Sequence, residues 1–501
     1  MRFEIDFPTL AVSAQGLYQS ASGQSTIYSS SDKLTITSID DLMELEYCYG
    51  IEVDPVNKCV SFARDYLGFY PLIYSAHKNK LFITDDFSEV VAWSKKQGVN
   101  LTISDKSLAL YFTMGYVPQG YSLYEEISTC RNASIYKWEG ASVICVDMFV
   151  PIEEDPSVDL EDLGQAIEQS VVDIYSKSTD VDVWCSGGLD SCIMASLLNS
   201  NGRHARLLTM DYSDDIASVY GHGEVPFAEL MQASANAKME KVILSQESYL
   251  REYKKFIKGH IGPVIDIVVV PKYLLAEASR SVAITGEGGD PLFSGVKNNK
   301  VLFVMENSRE TPIGEIYARA HNRFFDQIEN FFTSGPDLKA FVIDYMEAML
   351  ARYPGDTVRK LFYANTFEKQ GGMIFPKNYY AGKYNNVDVF HPLTAYQVYK
   401  TAFLLEDSKK YQYPQGKLAL INLYKKQLPA QIIDRKKSGT RLPLDHYMDV
   451  VPFDVIGKDL LSSTAHFKSS MLSDYASSEK MQSILKDYSI ATLANWLTYH
   501  H

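Results

Sequence analysis

The sequence is poor in cysteine, and its cysteines do not form the pairs that metal sites and disulfide frameworks use. It has six cysteines, with no CxxC pair among them: Cys48, Cys59, Cys130, Cys145, Cys185 and Cys192. Most of them lie within apolar runs, which argues against a zinc site and against a disulfide-stapled secreted fold. We therefore expect free thiols and a cytoplasmic protein.

Positive charge and long apolar runs are also scarce. With 48 Lys and Arg against 62 Asp and Glu, the chain has a formal net charge of -14, which repels a polyphosphate. No apolar run approaches the roughly 18 residues of a membrane span, and the first residues lack the pattern of an export signal. We therefore expect neither nucleic acid nor a membrane as a partner.

Two regions of different texture divide the 501 residues. Up to residue 150, β-branched and aromatic runs such as KLFIT, ASIYKW and ASVICVDMFV predict strands. The stretch PIEEDPSVDLEDLG, with two prolines and many acids, indicates an exposed linker. We place the domain boundary near Pro151, which gives domains 1–150 and 151–501.

The second region alternates between strand-like and helix-like segments. VDVWC, RLLTM, KVIL and SVAIT are strand-like, whereas SCIMASLLNS, PFAELMQASANAKM and PKYLLAEASR have helical spacing. Such alternation predicts crossover units and a parallel sheet with helices on both faces. From about residue 297 onward the pattern is mainly helical. The predicted fold is α/β in two domains, a β-rich α+β domain and a parallel-sheet domain with a helical carboxyl-terminal part.

A polar corner follows the strand-like VDVWC and precedes a helix-like run. Its residues are Ser186, Gly187, Gly188, Leu189, Asp190 and Ser191. Glycines permit a tight turn, and the amides and hydroxyls at the start of the helix can bind an anion such as phosphate. An aspartate suits such a cradle once a divalent cation joins it, so Asp190 is a candidate magnesium ligand.

The corner and a second glycine-rich stretch together resemble a known family. SGGLDS resembles the pyrophosphate-binding loop of the N-type ATP pyrophosphatases, and ITGEGGDPLFSG, residues 284–295, resembles the second signature of the asparagine synthetase family. The resemblance implies ATP and Mg²⁺ as cofactors, with Asp190 and Asp290 as metal ligands. It also implies that Thr285 and Gly286 lie beside the nucleotide. Met210, at the end of RLLTM, is a candidate wall for adenine.

The resemblance extends over most of the chain. ARDYLGFYPLIY and GYVPQGYSLYEEI resemble segments of a class II glutamine amidotransferase domain, an Ntn-like fold. PLTAYQVYKTAFLL and QGKLALINLYKKQLPAQIIDRKKSG resemble the family's carboxyl-terminal helices and the basic loop after them. In the family a lysine of that loop stabilises charge in the transition state, and Lys437 falls at the matching place. Cations there offset the charge of departing pyrophosphate.

The sequence departs from asparagine synthetase at two places. Arg2 stands where glutamine-dependent members have their nucleophilic cysteine, so we expect a degenerate amidotransferase-like domain that releases no ammonia. Pro291 follows Asp290 where asparagine synthetases have a second acid, which makes aspartate a doubtful substrate.

These departures are similar to those of beta-lactam and carbapenam synthetases and of lasso-peptide cyclases. YYAGKYNNVDVFHPL resembles lasso cyclases most, and Asp388 falls where the family has an acid that manages the proton of the amine. Beta-lactam synthetases pair that acid with an upstream tyrosine. We take Tyr353 as the catalytic candidate, with Tyr345 and Tyr363 as alternatives.

The favoured interpretation is ATP-dependent, intramolecular amide formation through an acyl-adenylate, with closure of a ribosomal lasso peptide ahead of the alternatives. Those alternatives are a small-molecule lactam synthetase, an ammonia-dependent asparagine synthetase and, from another class, a nucleotide-binding pseudoenzyme or scaffold. The expected substrate is a peptide or a small amino-acid-like molecule. A lasso pathway would add a leader-peptide-binding protein and a protease as partners.

Overall fold

The computed structural model describes most of the chain. It covers residues 1–501 except 8, 23, 31–35, 179, 201–204, 296–300, 303, 306, 309–310, 322–323, 436–441, 453–458, 460–466 and 469–480. None of the helices in these described parts combines the length and the apolar character that a bilayer span requires.

The amino-terminal region forms two antiparallel sheets packed face to face. One sheet has the order β2-β1-β8-β7-β9 and the other β11-β10-β6-β5-β4-β3. The strands are β1 Arg2–Asp6, β2 Ala11–Gln15, β3 Tyr18–Ser22, β4 Ser25–Ser29, β5 Tyr49–Asp54, β6 Cys59–Arg64, β7 Ile73–His77, β8 Lys80–Thr84, β9 Ser128–Thr129, β10 Ser134–Trp138 and β11 Val143–Asp147. Alternate apolar residues such as Phe3, Ile51 and Phe62 point between the sheets and are fully buried, as expected for strands with one covered face. The predicted β-rich character is confirmed.

A five-stranded parallel sheet forms the centre of the second region. Its strands are β12 Val181–Trp184, β13 Arg206–Tyr212, β14 Lys238–Leu244, β15 Val282–Thr285 and β16 Asp388–Phe390. The order is β14-β13-β12-β15-β16, so the chain moves outward from β12 on one side and returns to its other side at β15. The predicted parallel sheet is confirmed. The predicted boundary near Pro151 falls in residues 148–159, which contain no helix or strand.

Helices occur in both regions and make up most of the chain after the parallel sheet. They are α1 Phe87–Lys96, α2 Asp105–Met114, α3 Leu160–Lys177, α4 Leu189–Ser200, α5 Asp214–Tyr220, α6 Val225–Ala235, α7 Gln246–Gly259, α8 Val269–Ala278, α9 Gly289–Phe293, α10 Ile313–Ala320, α11 Ile328–Phe331, α12 Gly335–Ala351, α13 Thr357–Ala364, α14 Phe375–Asn385, α15 Tyr396–Leu404, α16 Asp407–Lys410, α17 Leu418–Tyr424, α18 Ala430–Ile433, α19 Leu444–Met448 and α20 Met481–His500. Short 3₁₀ turns occur at Ile39–Glu44, Phe325–Gln327 and Pro392–Thr394, and a π-helical segment, Asn365–Ile374, joins α13 to α14.

Two local predictions need correction. The helix predicted over PFAELMQASANAKM ends at Ala235, because Asn236 adopts the left-handed conformation and Lys238 already begins β14. The mainly helical part also contains one strand, β16, which the sequence analysis does not predict. Its three residues are too few to show a strand pattern.

A buried ion cluster fixes the amino ends of the central strands. Asp182 is fully buried in β12 and lies 2.8 Å from both Arg206 and Arg280. Burial would raise the pKa of Asp182, but hydrogen bonds from the two guanidinium groups outweigh it and hold the pKa below its ordinary value.

We expect Asp182→Asn to lower the free energy of unfolding by about 3 kcal/mol, because it leaves two arginines without their buried carboxylate. Asp180→Asn is the matched control. Asp180 also pairs with Arg280, but its side chain is 65% exposed, so a loss under about 1 kcal/mol is expected. Urea denaturation at neutral pH measures both, and equal losses would contradict the prediction. The difference between wild type and Asp182→Asn should shrink as the pH falls below about 4, where the carboxyl group becomes protonated in the unfolded chain, and it should be lost as the pH falls through the lower pKa of Asp182 in the folded protein.

Candidate active site

Two glycine-rich loops lie side by side at the carboxyl edge of the parallel sheet. Residues 185–188 join β12 to α4, and residues 286–288 join β15 to α9. Because Trp184 and Thr285 are paired at the ends of these strands, the loops begin next to each other. Ligands of open parallel sheets bind at this edge, where the strand order reverses.

Hydroxyl groups shape the first loop. Ser191 Oγ accepts a hydrogen bond from the Ser186 amide at 3.2 Å and donates one to the Gly188 carbonyl at 3.1 Å. Gly187 has a φ of +68°, and a Cβ there would lie 2.5 Å from Phe227 Cβ, so the turn requires glycine. The loop thus combines backbone amides and serine hydroxyls, the groups that bind phosphate at a helix start.

The structure brings Asp190 and Asp290 to one ammonium group. Lys417 Nζ lies 2.7 Å from Asp290 Oδ1 and forms a second ion pair with Asp190 Oδ2. The Asp190 carboxylate packs against the start of α9 so closely that a Cβ at Gly289 would lie 2.3 Å from its Cγ. The side chains of Asp190 and Lys417 are only 16% and 11% exposed, whereas that of Asp290 is 44% exposed, so the charges meet in a space that is open to solvent on the side of Asp290.

Lys417 is absent from the residues predicted from the sequence. It directly precedes α17, and its backbone N–H donates to the Phe293 carbonyl at 2.6 Å, which ties it to the helix that carries Asp290. Burial opposes the positive charge, but Asp190 and Asp290 outweigh it and raise the pKa of Lys417 above its ordinary value. In the sequence Lys417 is a single lysine before the helix-like run LALINLY, and nothing in that pattern indicates which residues it pairs with.

The carboxylate pair fits a small divalent cation. Asp190 Oδ1 is buried and has no hydrogen-bond partner within the described part of the chain, so one oxygen remains available as a ligand. Carboxylate oxygens suit Mg²⁺, which usually takes only one or two of them and completes its shell with water and phosphate oxygens. Among the described residues, no group of three or more His, Cys, Asp or Glu side chains could hold a metal ion alone.

A second charged cluster adjoins the second loop and is also absent from the sequence predictions. Glu287 lies 3.3 Å from Lys272 Nζ, and Lys377 Nζ lies 2.7 Å from Asp266 Oδ2. Burial would raise the pKa of Glu287, but Lys272 and Lys377 outweigh it and hold the pKa below its ordinary value. Glu287 is therefore an ionised carboxylate at neutral pH beside the candidate nucleotide loops.

Thr285 and Gly286 connect the second loop to its surroundings. Thr285 Oγ1 lies 2.8 Å from His391 Nδ1, and the His391 amide donates to the Tyr47 hydroxyl at 2.7 Å. A Cβ at Gly286 would lie 2.5 Å from the Ser191 amide nitrogen, so the two loops are in direct contact there. Burial lowers the pKa of His391 to about 3, and the ring is neutral at physiological pH.

The remaining predicted residues are more scattered. Met210 is half-buried in β13, but it is not the last residue of the strand as predicted, since β13 continues to Tyr212. Lys437 lies outside the described residues. Arg435, two residues earlier in the sequence, stacks 3.9 Å from the centre of the Phe227 ring and donates to the Gly187 carbonyl at 3.3 Å, so Arg435 itself contacts the first loop.

Asp388 does not lie at the carboxyl edge. It is exposed at the amino end of β16, paired with Val282 at the start of β15, whereas the two loops follow the other end of these strands. Asp388 lines a cavity of about 300 Å³ between the two regions, together with aromatic rings that include Tyr47 and Tyr379.

The candidate tyrosines are engaged in packing contacts and hydrogen bonds with other parts of the chain. Tyr353 is fully buried and donates a 2.8 Å hydrogen bond to Glu368, and its pKa is raised by burial and then by that carboxylate. Tyr363 accepts a hydrogen bond from the Ile152 amide at 2.8 Å, and Tyr345 packs edge-on against Tyr121. The structure does not bring Tyr353 and Asp388 together as a pair, because Tyr353 is engaged by Glu368.

Comparison with protein families identifies the second region. The family model described as asparagine synthase matches residues 162–497, which include both loops, Lys417 and the whole parallel sheet. The chain belongs to the asparagine synthase family. A second model, described as glutamine amidotransferase domain, matches residues 41–148.

Three curated asparagine synthetases show how far this sequence has diverged from its relatives. Asparagine synthetase [glutamine-hydrolyzing] 1 of Bacillus subtilis is 22% identical over 46% of this chain and 37% of its own length. A putative asparagine synthetase of Mycobacterium tuberculosis is 19% identical over 79% of this chain and 66% of its own. A putative asparagine synthetase 2 of Methanocaldococcus jannaschii is 22% identical over 50% and 49%, respectively. The matches thus span from about a third to just under two thirds of these relatives.

The amidotransferase-like region has an ion cluster at its first strand. The Met1 amino group lies 2.7 Å from Asp85 Oδ1, and Arg2 then begins β1. Asp85 also pairs with Lys383 at 2.9 Å and accepts a hydrogen bond from the Tyr379 hydroxyl, both on α14 of the asparagine synthase region. This ion cluster therefore joins the two regions through the buried carboxylate of Asp85.

We expect Gly289→Ala to displace the Asp190 carboxylate and to lower the free energy of unfolding by about 1 to 3 kcal/mol, because the added methyl group overlaps a packed carboxylate. Gly262→Ala is the control, since a Cβ there meets nothing within 4 Å. It should leave stability unchanged or raise it by up to about 1 kcal/mol. Urea denaturation of both variants checks the prediction, and it is wrong if they are equally stable.

The buried His391 predicts a loss of stability in acid. Its pKa of about 3 lies below the ordinary value of 6.5, so the unfolded chain binds a proton more readily between these pH values. The contribution of neutral His391 to the free energy of unfolding is complete above about pH 6.5 and is lost as the pH falls towards 3. The loss is on the order of 3 kcal/mol at pH 4. His391→Gln should show a shallower decline in urea unfolding between pH 6.5 and 4. Parallel declines in the two proteins would contradict this.

Proposed function

We propose that this chain is an ATP-dependent amide ligase that activates a carboxylate as its adenylate and releases AMP and pyrophosphate. The observation that carries the proposal is the meeting of Asp190 and Asp290 from adjacent loops at the carboxyl edge of the parallel sheet. Membership of the asparagine synthase family supports the same chemistry. A nucleotide-binding scaffold without turnover is the alternative from another class.

The reaction has two steps. An oxygen of the substrate carboxylate attacks the α-phosphorus of ATP, and the bond from that phosphorus to the pyrophosphate oxygen breaks. An amine then attacks the acyl carbon, AMP leaves, and the amine loses a proton. The first step needs charge compensation on the departing pyrophosphate, and the second needs the amine to be held beside the acyl carbon.

Specific groups of this chain serve the first step. The serine hydroxyls and amides of residues 186–191 bind the phosphates, and Lys417 supplies a cation beside them. Mg²⁺ held by Asp190 and Asp290 would supply further positive charge to the phosphate oxygens. Lys437, which lies outside the described residues, is proposed to stabilise the transition state. Thr285 and Gly286 would line the nucleotide, with Met210 at the adenine end.

For the nitrogen source, we propose an amine of the substrate molecule itself, so that the product is a macrolactam of a ribosomal peptide. Arg2 in place of a cysteine supports the absence of glutamine hydrolysis by the first region. The aromatic cavity of about 300 Å³ beside Asp388 supports a substrate with side chains to accommodate. Asp388 would then act in substrate binding and Tyr353 in packing. A leader-binding protein and a protease are the proposed partners. Small-molecule lactam formation and ammonia-dependent asparagine synthesis are the alternative reactions.

Pyrophosphate exchange tests the proposal. The chain is incubated with ATP, Mg²⁺ and either a peptide with an amino-terminal glycine and a downstream acidic residue, or small amino acids, with and without ammonia. We expect exchange with the peptide, AMP as the nucleotide product and loss of one water from the peptide. Asp190→Asn should slow exchange by about 100-fold or more, whereas the exposed Asp180→Asn should not. ADP as product would overturn the adenylation mechanism, and exchange with small acids alone would favour the lactam or asparagine alternatives.

A further inference from the structure

Lys417 occupies the space between the two carboxylates that we propose as metal ligands. We propose that Lys417 is an exchangeable counter-ion, which keeps divalent cations from Asp190 and Asp290 until the phosphates of the nucleotide arrive, so that metal and nucleotide bind together. This inference rests on the proposed function, because it takes the carboxylate pair as the metal site. It concerns the order of binding and not the reaction.

The position of the Lys417 ammonium is determined by both backbone and side chain. The Lys417 amide is bonded to the Phe293 carbonyl at 2.6 Å, and the residue has a φ of 58° at the start of α17. Its ammonium lies 2.7 Å from Asp290 Oδ1 and is paired with Asp190 as well. The backbone of Lys417 is therefore held against α9, and rotation of its side chain alone can move the ammonium group away from the carboxylates.

Charge balance makes metal binding depend on an anion. Two carboxylates and one ammonium carry a net charge of -1, and a divalent cation added to them would give +1 in a site where Lys417 is only 11% exposed. Like charges repel strongly where water is largely excluded. Phosphates that arrive with the metal reverse the sign, and the ammonium can then pair with a phosphate oxygen.

The number of protein ligands supports the same order. No group of three or more acidic, His or Cys side chains in the described ranges could hold a metal ion, so the described residues supply only the two carboxylates to the metal site. Mg²⁺ prefers six oxygens in octahedral geometry and commonly obtains several of them from substrate phosphates and water. Metal alone thus faces a competing ammonium and an incomplete set of ligands.

The test is the thermodynamic coupling between metal and nucleotide. Mn²⁺ binding to the full chain is measured by electron paramagnetic resonance or calorimetry, alone and with a non-hydrolysable ATP analogue. In the wild type, we expect weak Mn²⁺ binding alone and a large gain with the analogue. In Lys417→Gln, Mn²⁺ alone should bind about tenfold more tightly, and the gain from the analogue should fall by a similar factor.

Two further variants complete the experiment. Lys425→Gln removes an exposed lysine just beyond the other end of α17 and should behave as the wild type. Lys417→Arg retains the positive charge and should keep Mn²⁺ binding weak, which separates the counter-ion role from a loss of packing. Equal Mn²⁺ affinity in the wild type and Lys417→Gln would overturn the proposal.

The measurement does not depend on one variant folding. In the wild type itself, inorganic pyrophosphate must raise Mn²⁺ affinity at the protein, and an unchanged affinity would overturn the proposal. Failure of the proposed function gives a different result, namely no pyrophosphate exchange with any of the acids tried, whatever the coupling between Mn²⁺ and the ATP analogue.

Discussion

The arrangement of the active-site edge depends on one electrostatic constraint, the repulsion between two carboxylates brought together by adjacent strands. Asp190 and Asp290 follow β12 and β15, and the close packing at Gly286 and Gly289 allows the loops to touch. Lys417 compensates for that repulsion, and its backbone bond to Phe293 joins α17 to the same assembly. A divalent cation would compensate the same two carboxylates, so under the proposed function one small region would serve both folding and nucleotide chemistry.

Part of this site could be predicted from sequence, for two different reasons. SGGLDS follows a strand-like run, which predicts its place at the carboxyl edge of a parallel sheet, whereas the meeting of Asp290 with Asp190 was implied by the resemblance to the asparagine synthetase family. Lys417, Glu287 and Lys272 were not predicted, because their roles arise from contacts between distant segments and a lysine or glutamate has no local signature of a partner. The pairing of Tyr353 with an acid does occur, but with Glu368 in the protein interior and not with Asp388.

The fold, like the site, was predictable from sequence in some parts and not in others. Strand and helix types were predictable where the apolar spacing is regular, as in β8, β10, β12 and α8, because periodicity reflects which face is buried. Errors arose where a single residue or a very short element decides the outcome. Asn236 ends α6 by adopting the left-handed conformation, and β16 has only three residues. Family membership is shown by the match over residues 162–497, and it accounts for the sheet that carries the loops.

The contact between Tyr47 and the segment at β16 gives the amidotransferase-like region a structural role in the second region. β16 is the edge strand of the parallel sheet. Tyr47 of the amidotransferase-like region accepts a hydrogen bond from the His391 amide, and its ring centre lies 4.8 Å from that of Phe390. Open strand edges pair readily with other chains, and covering them prevents aggregation. The amidotransferase-like region thus covers part of the open edge of this sheet, and a chain without that region would expose the edge to pairing with other chains.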